Sequence, residues 1–344
     1  MIHLESDYLE GAHPRILERL QETNLEKTPG YGMDPYCESA RKKIRKAAAC
    51  PDAEIHFLVG GTQANAAVIR ALLRPHEGVI AADTGHISTH EAGAIEATGH
   101  KILTIPHQDG RITAEALERY LTSHWQDGNR LHMVKPGALY VSHPTEYGTL
   151  YSKAELEALR ALCDRFGLSL FLDGARLSYG LAARDTDVTL ETLAGLCDVF
   201  SIGGTKVGAL FGEAVVMPRP HLIPDFYTMI KQSGALLAKG RILGIQFDTL
   251  FTDELYLQIA VHAVHMAERM TTIFKEKGYP FHLETPTNQQ FLLLENDQMK
   301  ELAKTVSFSF WESFDVEHTV VRLATSWATD QHDIERLREE IPAL

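Results

Sequence analysis

Ser169-Leu170-Phe171-Leu172-Asp173-Gly174-Ala175-Arg176 and Asp198-Val199-Phe200-Ser201-Ile202-Gly203-Gly204-Thr205-Lys206 are the stretches whose reading decides how this chain folds. Each is a short apolar run that breaks off at glycine and a charged side chain, the mark of a strand buried on both faces. The segment between them has the length of one helical crossover. The two strands are therefore expected to be parallel neighbours, with Asp173 and Lys206 at adjacent carboxyl ends.

The same alternation extends outward on both sides. Upstream, apolar runs at 55–59, 79–82 and 139–142 alternate with amphipathic segments at 63–73, 91–97 and 153–166. In the last of these, Leu156, Leu159 and Leu162 form one stripe, Ser152 stands where an N-cap is wanted and Gly167 where a helix stops. Strand, helix and strand in succession predict an α/β fold, a mostly parallel sheet with helices on both faces. Downstream, 214–217 follows Lys206 too closely for a crossover and is expected as an antiparallel neighbour of the preceding strand. Beyond about residue 244 the pattern changes to a long helix over 255–277, strands at 291–294 and 320–324, and a last helix over 329–340. The predicted division is a large domain over 1–244, which includes the N-terminal segment, and a smaller α+β domain over 245–344.

The 344 residues carry 33 Lys plus Arg against 46 Asp plus Glu, a net charge of −13. Such a balance repels polyanions, so nucleic acid is not an expected partner. Hydrophobic residues make up 44% of the chain, enough for a sizeable core. No apolar run is long enough for a membrane span, and Met1-Ile2-His3-Leu4-Glu5 lacks the basic-then-apolar pattern of a secretory signal. Cys37, Cys50, Cys163 and Cys197 lack the close spacing of zinc or redox pairs. The expectation is a cytoplasmic protein without a bound metal.

Ligands of open α/β sheets collect beyond the carboxyl ends of the strands, and three such ends are unusual here. Val59-Gly60-Gly61-Thr62-Gln63-Ala64-Asn65 runs a glycine pair into a helix, where backbone N–H groups and the helix dipole favour a phosphate. It has neither Walker nor dinucleotide spacing, and taken alone it also reads as a tight turn capped by Thr62. Asp173, behind an apolar strand, needs a cationic or hydrogen-bonding partner, and Arg176 is one candidate. Lys206, behind two glycines, must be desolvated or paired, which makes it a candidate Schiff-base former. Alone it also reads as a flexible surface lysine. Together, a phosphate cradle, a carboxylate and a lysine on one edge are the three handles that hold pyridoxal 5′-phosphate.

At this point the sequence resembles the threonine aldolase family, within the β-eliminating lyase group of pyridoxal-phosphate enzymes of the aspartate-aminotransferase-like fold (fold type I). The resemblance runs from Ser6-Asp7 to about Trp327. It is carried by Tyr31-Gly32-Met33-Asp34-Pro35, Gly61-Thr62-Gln63-Ala64-Asn65, His86 with Glu91-Ala92-Gly93, Pro144-Thr145-Glu146-Tyr147-Gly148-Thr149, Asp173-Gly174-Ala175-Arg176 and Gly203-Gly204-Thr205-Lys206. The Pro-Thr-Glu and Gly-Gly-Thr-Lys forms look like the bacterial low-specificity branch. The resemblance implies that Lys206 carries the cofactor covalently, Asp173 faces the pyridine nitrogen, His86 stacks over the ring, and Gly61 and Thr62 hold the phosphate. A carboxylate about 4 Å from a pyridinium, at an effective dielectric near 20, stabilises it by about 4 kcal/mol before desolvation costs.

Arg322, in an Arg-Leu-Ala-Thr-Ser-Trp run, would by the same resemblance pair with the substrate carboxylate, helped by Arg176 and Ser6. Tyr31 and the stretch holding Lys231, Lys239 and Arg241 would reach a neighbouring subunit's site, with either Lys239 or Arg241 meeting the phosphate. That implies a homo-oligomer, dimer or tetramer, with shared active sites. This chain departs from many relatives in having Glu146 where they place a second histidine, and Tyr8 where they place threonine. The implied reaction is cleavage of a β-hydroxy-α-amino acid, threonine or allo-threonine, to glycine and an aldehyde. Its base is either His86 or a water held by Glu146. Two rivals stand beside it: β-elimination from a cysteine- or serine-like substrate, and cofactor binding without turnover.

Overall fold

The computed structural model describes residues 1–344. After a short strand, β1 (Ile2–His3), the chain builds one central sheet. Its members are β2 (Glu54–Leu58), β3 (Glu77–Ala82), β4 (Ile102–Ile105), β5 (Lys135–Ser142), β6 (Ser169–Asp173), β7 (Val199–Gly203) and β8 (Glu213–Met217), in the order β2-β8-β7-β6-β5-β3-β4. The run β7-β6-β5-β3-β4 is parallel throughout, and β8 alone opposes its neighbours β7 and β2. This is the α/β sheet expected, with β8 the anticipated antiparallel strand. Two short helices, Leu177–Leu181 and Leu190–Leu196, make the crossover from β6 to β7.

A strand turns successive side chains to opposite faces. Leu139, Val141, Leu170, Leu172 and Phe200 therefore join one core of 46 buried residues, while Ala138, Tyr140, Phe171 and Val199 join a second of 20 on the other face. With both faces covered, these strands read as unbroken apolar runs. The helix Lys153–Phe166 forms as expected: Ser152 and Glu155 make a reciprocal capping box, and Gly167 ends it at φ 71°.

Two expected helices differ. The segment 91–97 does not form one, because Ala92 and Gly93 take φ values of 50° and 75°. Only His86–Thr89 and a single turn at Glu96–Thr98 are helical there, and Glu91 turns inward. The last helix begins at Gln331 because the Asp330 side chain caps it, accepting from the His332 N–H at 2.8 Å.

The smaller body holds β9 (Phe281–Leu283), β10 (Gln289–Glu295), β11 (Val306–Ser307), β12 (Ser309–Ser313) and β13 (His318–Ala324). Four of these make an antiparallel sheet, β12-β13-β10-β9, and β11 pairs in parallel with β1. The long helix Leu255–Glu276 serves both cores: Tyr256, Ile259 and Ala260 pack on the large sheet, while Met266, Met270 and Phe274 pack with Ile2, Leu4 and Val321. The carboxyl ends of β2, β3, β5, β6 and β7 share one edge of the central sheet, and β8 begins there.

Candidate active site

At the end of β2, Gly60 is extended and the helix Gly61–Leu72 starts with no side chain capping it. Thr62 is therefore not its cap. A side chain placed on Gly60 or Gly61 would meet nothing within 4 Å, so the start of the helix is uncrowded. An uncapped helix N-terminus with room in front fits an anion.

Asp173 ends β6 and is 5% exposed. Its Oδ2 accepts from Tyr140 Oη at 2.7 Å and from Asn65 Nδ2 at 2.9 Å, and its Oδ1 accepts from the Ala175 N–H at 2.9 Å. Burial works to raise its pKa, but His86, these donors and Lys206 outweigh it and hold the group below the ordinary aspartate value. It is ionised at neutral pH, the state a pyridinium partner needs.

Arg176 is not its partner. The guanidinium is clasped by Asp7, Nε to Oδ2 at 2.7 Å and Nη2 to Oδ1 at 3.0 Å, and Asn288 Nδ2 adds a third bond to Asp7 at 2.9 Å. Despite burial, Arg176 pulls the Asp7 pKa down to about 2. The N-terminal segment passes close enough to β6 to neutralise this arginine first.

Lys206 follows the buried Gly203-Gly204 turn. A side chain on Gly203 would come within 2.3 Å of the Ala175 carbonyl, so only glycine lets the ends of β6 and β7 approach this closely. Burial, then Arg176, pushes the Lys206 pKa down to about 8, against the pull of Asp7, Glu213 and Asp173. A buried amine that gives up its proton near neutrality is suited to adding to an aldehyde. Lys206, Asp173, Arg176, Glu146 and His86 line one cleft.

Glu146 is 8% exposed and faces this cleft. Its Oε1 accepts from Ser142 Oγ at 2.6 Å and from the His86 N–H at 2.7 Å. Burial raises its pKa above the ordinary glutamate value. The His86 ring is anchored by Nδ1 to Glu91 Oε1 at 2.8 Å, and Glu91 Oε1 also accepts from Asn65 Nδ2 at 2.7 Å.

Arg322 on β13 has no carboxylate within ion-pair reach. It donates only to the Glu5 carbonyl at 3.2 Å, Ser309 Oγ at 3.3 Å and Gln289 Oε1 at 3.3 Å, lies over the Trp311 ring, and keeps a buried Nε without a partner. Burial, then Arg176, lowers its pKa to about 10, so it stays charged. The Ser6 hydroxyl is likewise buried and unpartnered. A buried guanidinium lacking its anion fits a carboxylate brought by a ligand.

Tyr31, Lys231, Lys239 and Arg241 are not brought to this cleft within the chain. The Lys231 ammonium sits 4.3 Å from the centre of the Tyr31 ring. Lys239 and Arg241 line a separate groove, with Arg241 donating to the Thr23 and Glu26 carbonyls. Tyr31 lines another cleft, with Cys37 and Tyr227.

Sequence reasoning assigned no role to Asp7, Asn65, Glu91, Tyr140, Ser142 or Glu213. For Tyr140, Ser142 and Glu213 the signal available was a polar residue inside or at the end of an apolar strand; Asp7, Asn65 and Glu91, on loops and a helix, carried no such signal. Glu213 is the clearest case: it opens β8 opposite Gly203, is 3% exposed, and burial, then Asp173, pushes its pKa well above the ordinary value.

A doubly wound sheet with an uncapped helix start, an ionised carboxylate and a desolvated lysine on one edge defines a pyridoxal-phosphate enzyme of the aminotransferase-like fold. The chain belongs to the beta-eliminating lyase family, whose model matches residues 3–298. The low specificity L-threonine aldolase of a Pseudomonas species is 30% identical over 343 residues, covering 98% of this chain and 96% of that protein. That of Pseudomonas aeruginosa is 31% identical over 338 residues, covering 97% and 94%. The solved structure of Leishmania major threonine aldolase matches with a TM-score of 0.95 at 41% identity, covering 99% of this chain and 98% of its own. Thermus thermophilus aspartate aminotransferase, 17% identical with a TM-score of 0.73 over 98% of this chain and 90% of its own, shares the fold.

Proposed function

We infer that the protein is a lyase that cleaves β-hydroxy-α-amino acids, threonine and allo-threonine among them, to glycine and an aldehyde. The names of the relatives support this reading. The observation that carries it is Glu146, a second buried carboxylate in the cleft of Lys206 and Asp173, with its pKa raised by burial. Removing the proton of a β-hydroxyl requires such a base.

Pyridoxal 5′-phosphate, when bound, supplies an aldehyde to anchor the amine and a protonated ring to accept the electrons of the broken bond. In this reading Gly61 and Thr62 would hold its phosphate at the helix start, Lys206 Nζ would anchor it, Asp173 would keep its ring nitrogen protonated and His86 would lie against the ring. Arg322 takes the substrate carboxylate, with the Ser6 hydroxyl beside it. Arg176, already neutralised by Asp7, shapes the cleft and adds little net charge. Glu146, directly or through a water, takes the hydroxyl proton. Its Ser142 and His86 donors hold the carboxylate in place.

The reading extends to a cytoplasmic homo-oligomer, a dimer or tetramer, in which Tyr31, Lys231, Lys239 and Arg241 complete a neighbour's site. Their distance from the chain's own cleft supports it. Purified protein should show a cofactor absorption band that borohydride fixes covalently, and Lys206→Ala should lose the covalent product. Threonine isomers should yield glycine and acetaldehyde in equal amounts. β-Elimination would release a 2-oxo acid instead, and a band unchanged by threonine or glycine would mean binding without turnover.

A further inference from the structure

Three hydrogen-bond contacts join Glu146 to Asp173 through two hydroxyl groups. Ser142 Oγ lies 2.6 Å from Glu146 Oε1, Ser142 Oγ lies 3.3 Å from Tyr140 Oη, and Tyr140 Oη lies 2.7 Å from Asp173 Oδ2. Tyr140 and Ser142 are two residues apart on β5, so their side chains share one face of the sheet. Tyr140 is 1% exposed, so water does not reach its hydroxyl to satisfy it.

Each hydroxyl carries one hydrogen. With both carboxylates ionised, two hydrogens serve three contacts, and one contact is empty. The Ser142 hydrogen goes to Glu146 and the Tyr140 hydrogen to Asp173. The contact left without one is Ser142 to Tyr140, which is also the longest of the three. One added proton fills the chain. Placed on Glu146 Oε1, it is donated to Ser142 Oγ, the Ser142 O–H turns to Tyr140 Oη, and Tyr140 goes on donating to Asp173. The proton enters and leaves at Glu146, no heavy-atom bond changes, and Asp173 stays ionised. Asp173 does not take that proton, because Asn65 and the Ala175 N–H also donate to it.

We propose that the Ser142 hydroxyl is a two-position switch: it serves Glu146 when that carboxylate is ionised and Tyr140 when it is protonated, linking the proton on Glu146 to the hydrogen bond that Asp173 receives. A hydroxyl that is itself accepting a hydrogen bond is a stronger donor. Protonation of Glu146 therefore tightens the Tyr140 bond and makes Asp173 a weaker base. The other groups facing Glu146 in the cleft are His86, whose backbone N–H is fixed on it in both states, Lys206, which holds the cofactor in the holoenzyme, and the charged Arg176 and Asp173. Burial, which raises the Glu146 pKa, places this exchange nearer neutrality. Ser142 and Tyr140 are thereby positioning residues, and the inference rests on the reading of Glu146 as base.

The test follows the titration of Glu146 in the full-length holoenzyme by two readouts. One is the acid limb of kcat/KM for threonine. The other is the infrared carboxylic-acid band, measured without substrate and assigned by its absence in Glu146→Gln. Ser142→Ala removes the donor to the ionised form and should move both readouts up by about one pH unit, the scale of one hydrogen bond to a charged group. Tyr140→Phe removes the acceptor used only in the protonated form and should move both down. The double variant should match Ser142→Ala alone, since without Ser142 the tyrosine is disconnected. Shifts of the same sign, additive shifts or no infrared shift in either variant would overturn the switch. Opposite infrared shifts with an unmoved kcat/KM limb would keep the switch and remove Glu146 from the role of base.

Discussion

Asp7 and Arg322 pose one problem from two sides: a buried charge needs its opposite. For Arg176 the opposite is Asp7, 169 residues away, a distance that no spacing rule spans. For Arg322 it is absent from the chain. In sequence neither arginine announces its partner, Arg176 standing just past one apolar strand and Arg322 inside another, and only the path of the N-terminal segment tells them apart. Asp7→Asn leaves the Arg176 guanidinium buried without its counter-charge and should cost about 3–5 kcal/mol, read as a lower urea midpoint. The wild-type pair also has a pH signature. The Asp7 pKa is lowered from 3.8 to about 2 on folding. Its contribution of about 2 kcal/mol is therefore complete above pH 4 and is lost as pH falls through 2. Acid denaturation of Asp7→Asn should lack that component. Asp173 and Lys206 were legible for the opposite reason, because each closes an apolar strand inside a local, repeated pattern.

At the scale of elements, glycine and caps separate into two kinds. Ser152 closes a capping box on a helix at the surface of the large core, so Ser152→Ala should cost about 1 kcal/mol of stability and leave the cofactor spectrum intact. Gly203→Ala should do the reverse of sparing the site. Its methyl would press on the Ala175 carbonyl, part of the backbone that positions Asp173, and the absorption band should be lost or displaced at cofactor concentrations that saturate the wild type. An unchanged band would show that β6 and β7 can part without disturbing the site. Strands and long helices were readable because burial on two faces or one stripe leaves a periodic trace. The inward turn at 91–97 was not, because Ala92 at positive φ carries no sign of it in its side chain.

At the scale of the molecule, the parallel sense of the sheet, the pairing of β6 with β7, the antiparallel β8 and the placing of the site at the carboxyl edge followed from the alternation of strands and helices. The wiring of Glu146, Ser142, Tyr140 and Asp173 did not, since it joins residues from the ends of different strands. If Lys239 and Arg241 serve a neighbour's site, Lys206→Ala and the paired Lys239→Ala and Arg241→Ala variant, each inactive alone, should regain activity when mixed and allowed to exchange subunits. No recovery would confine every site to one chain.

The pairing of β1 with β11 has a bearing on when the molecule becomes competent. The Glu5 carbonyl waits for Ser309, 304 residues further on, and for Arg322 beyond it. During translation the middle of the chain can assemble its sheet as it emerges, and Asp7 can then meet Arg176, while β1 and the Glu5 carbonyl still lack β11, Ser309 and Arg322. The strand β1 and the Glu5 carbonyl find these partners only after the last strands leave the ribosome, so a nascent polypeptide cannot seat Arg322 until it is almost fully made.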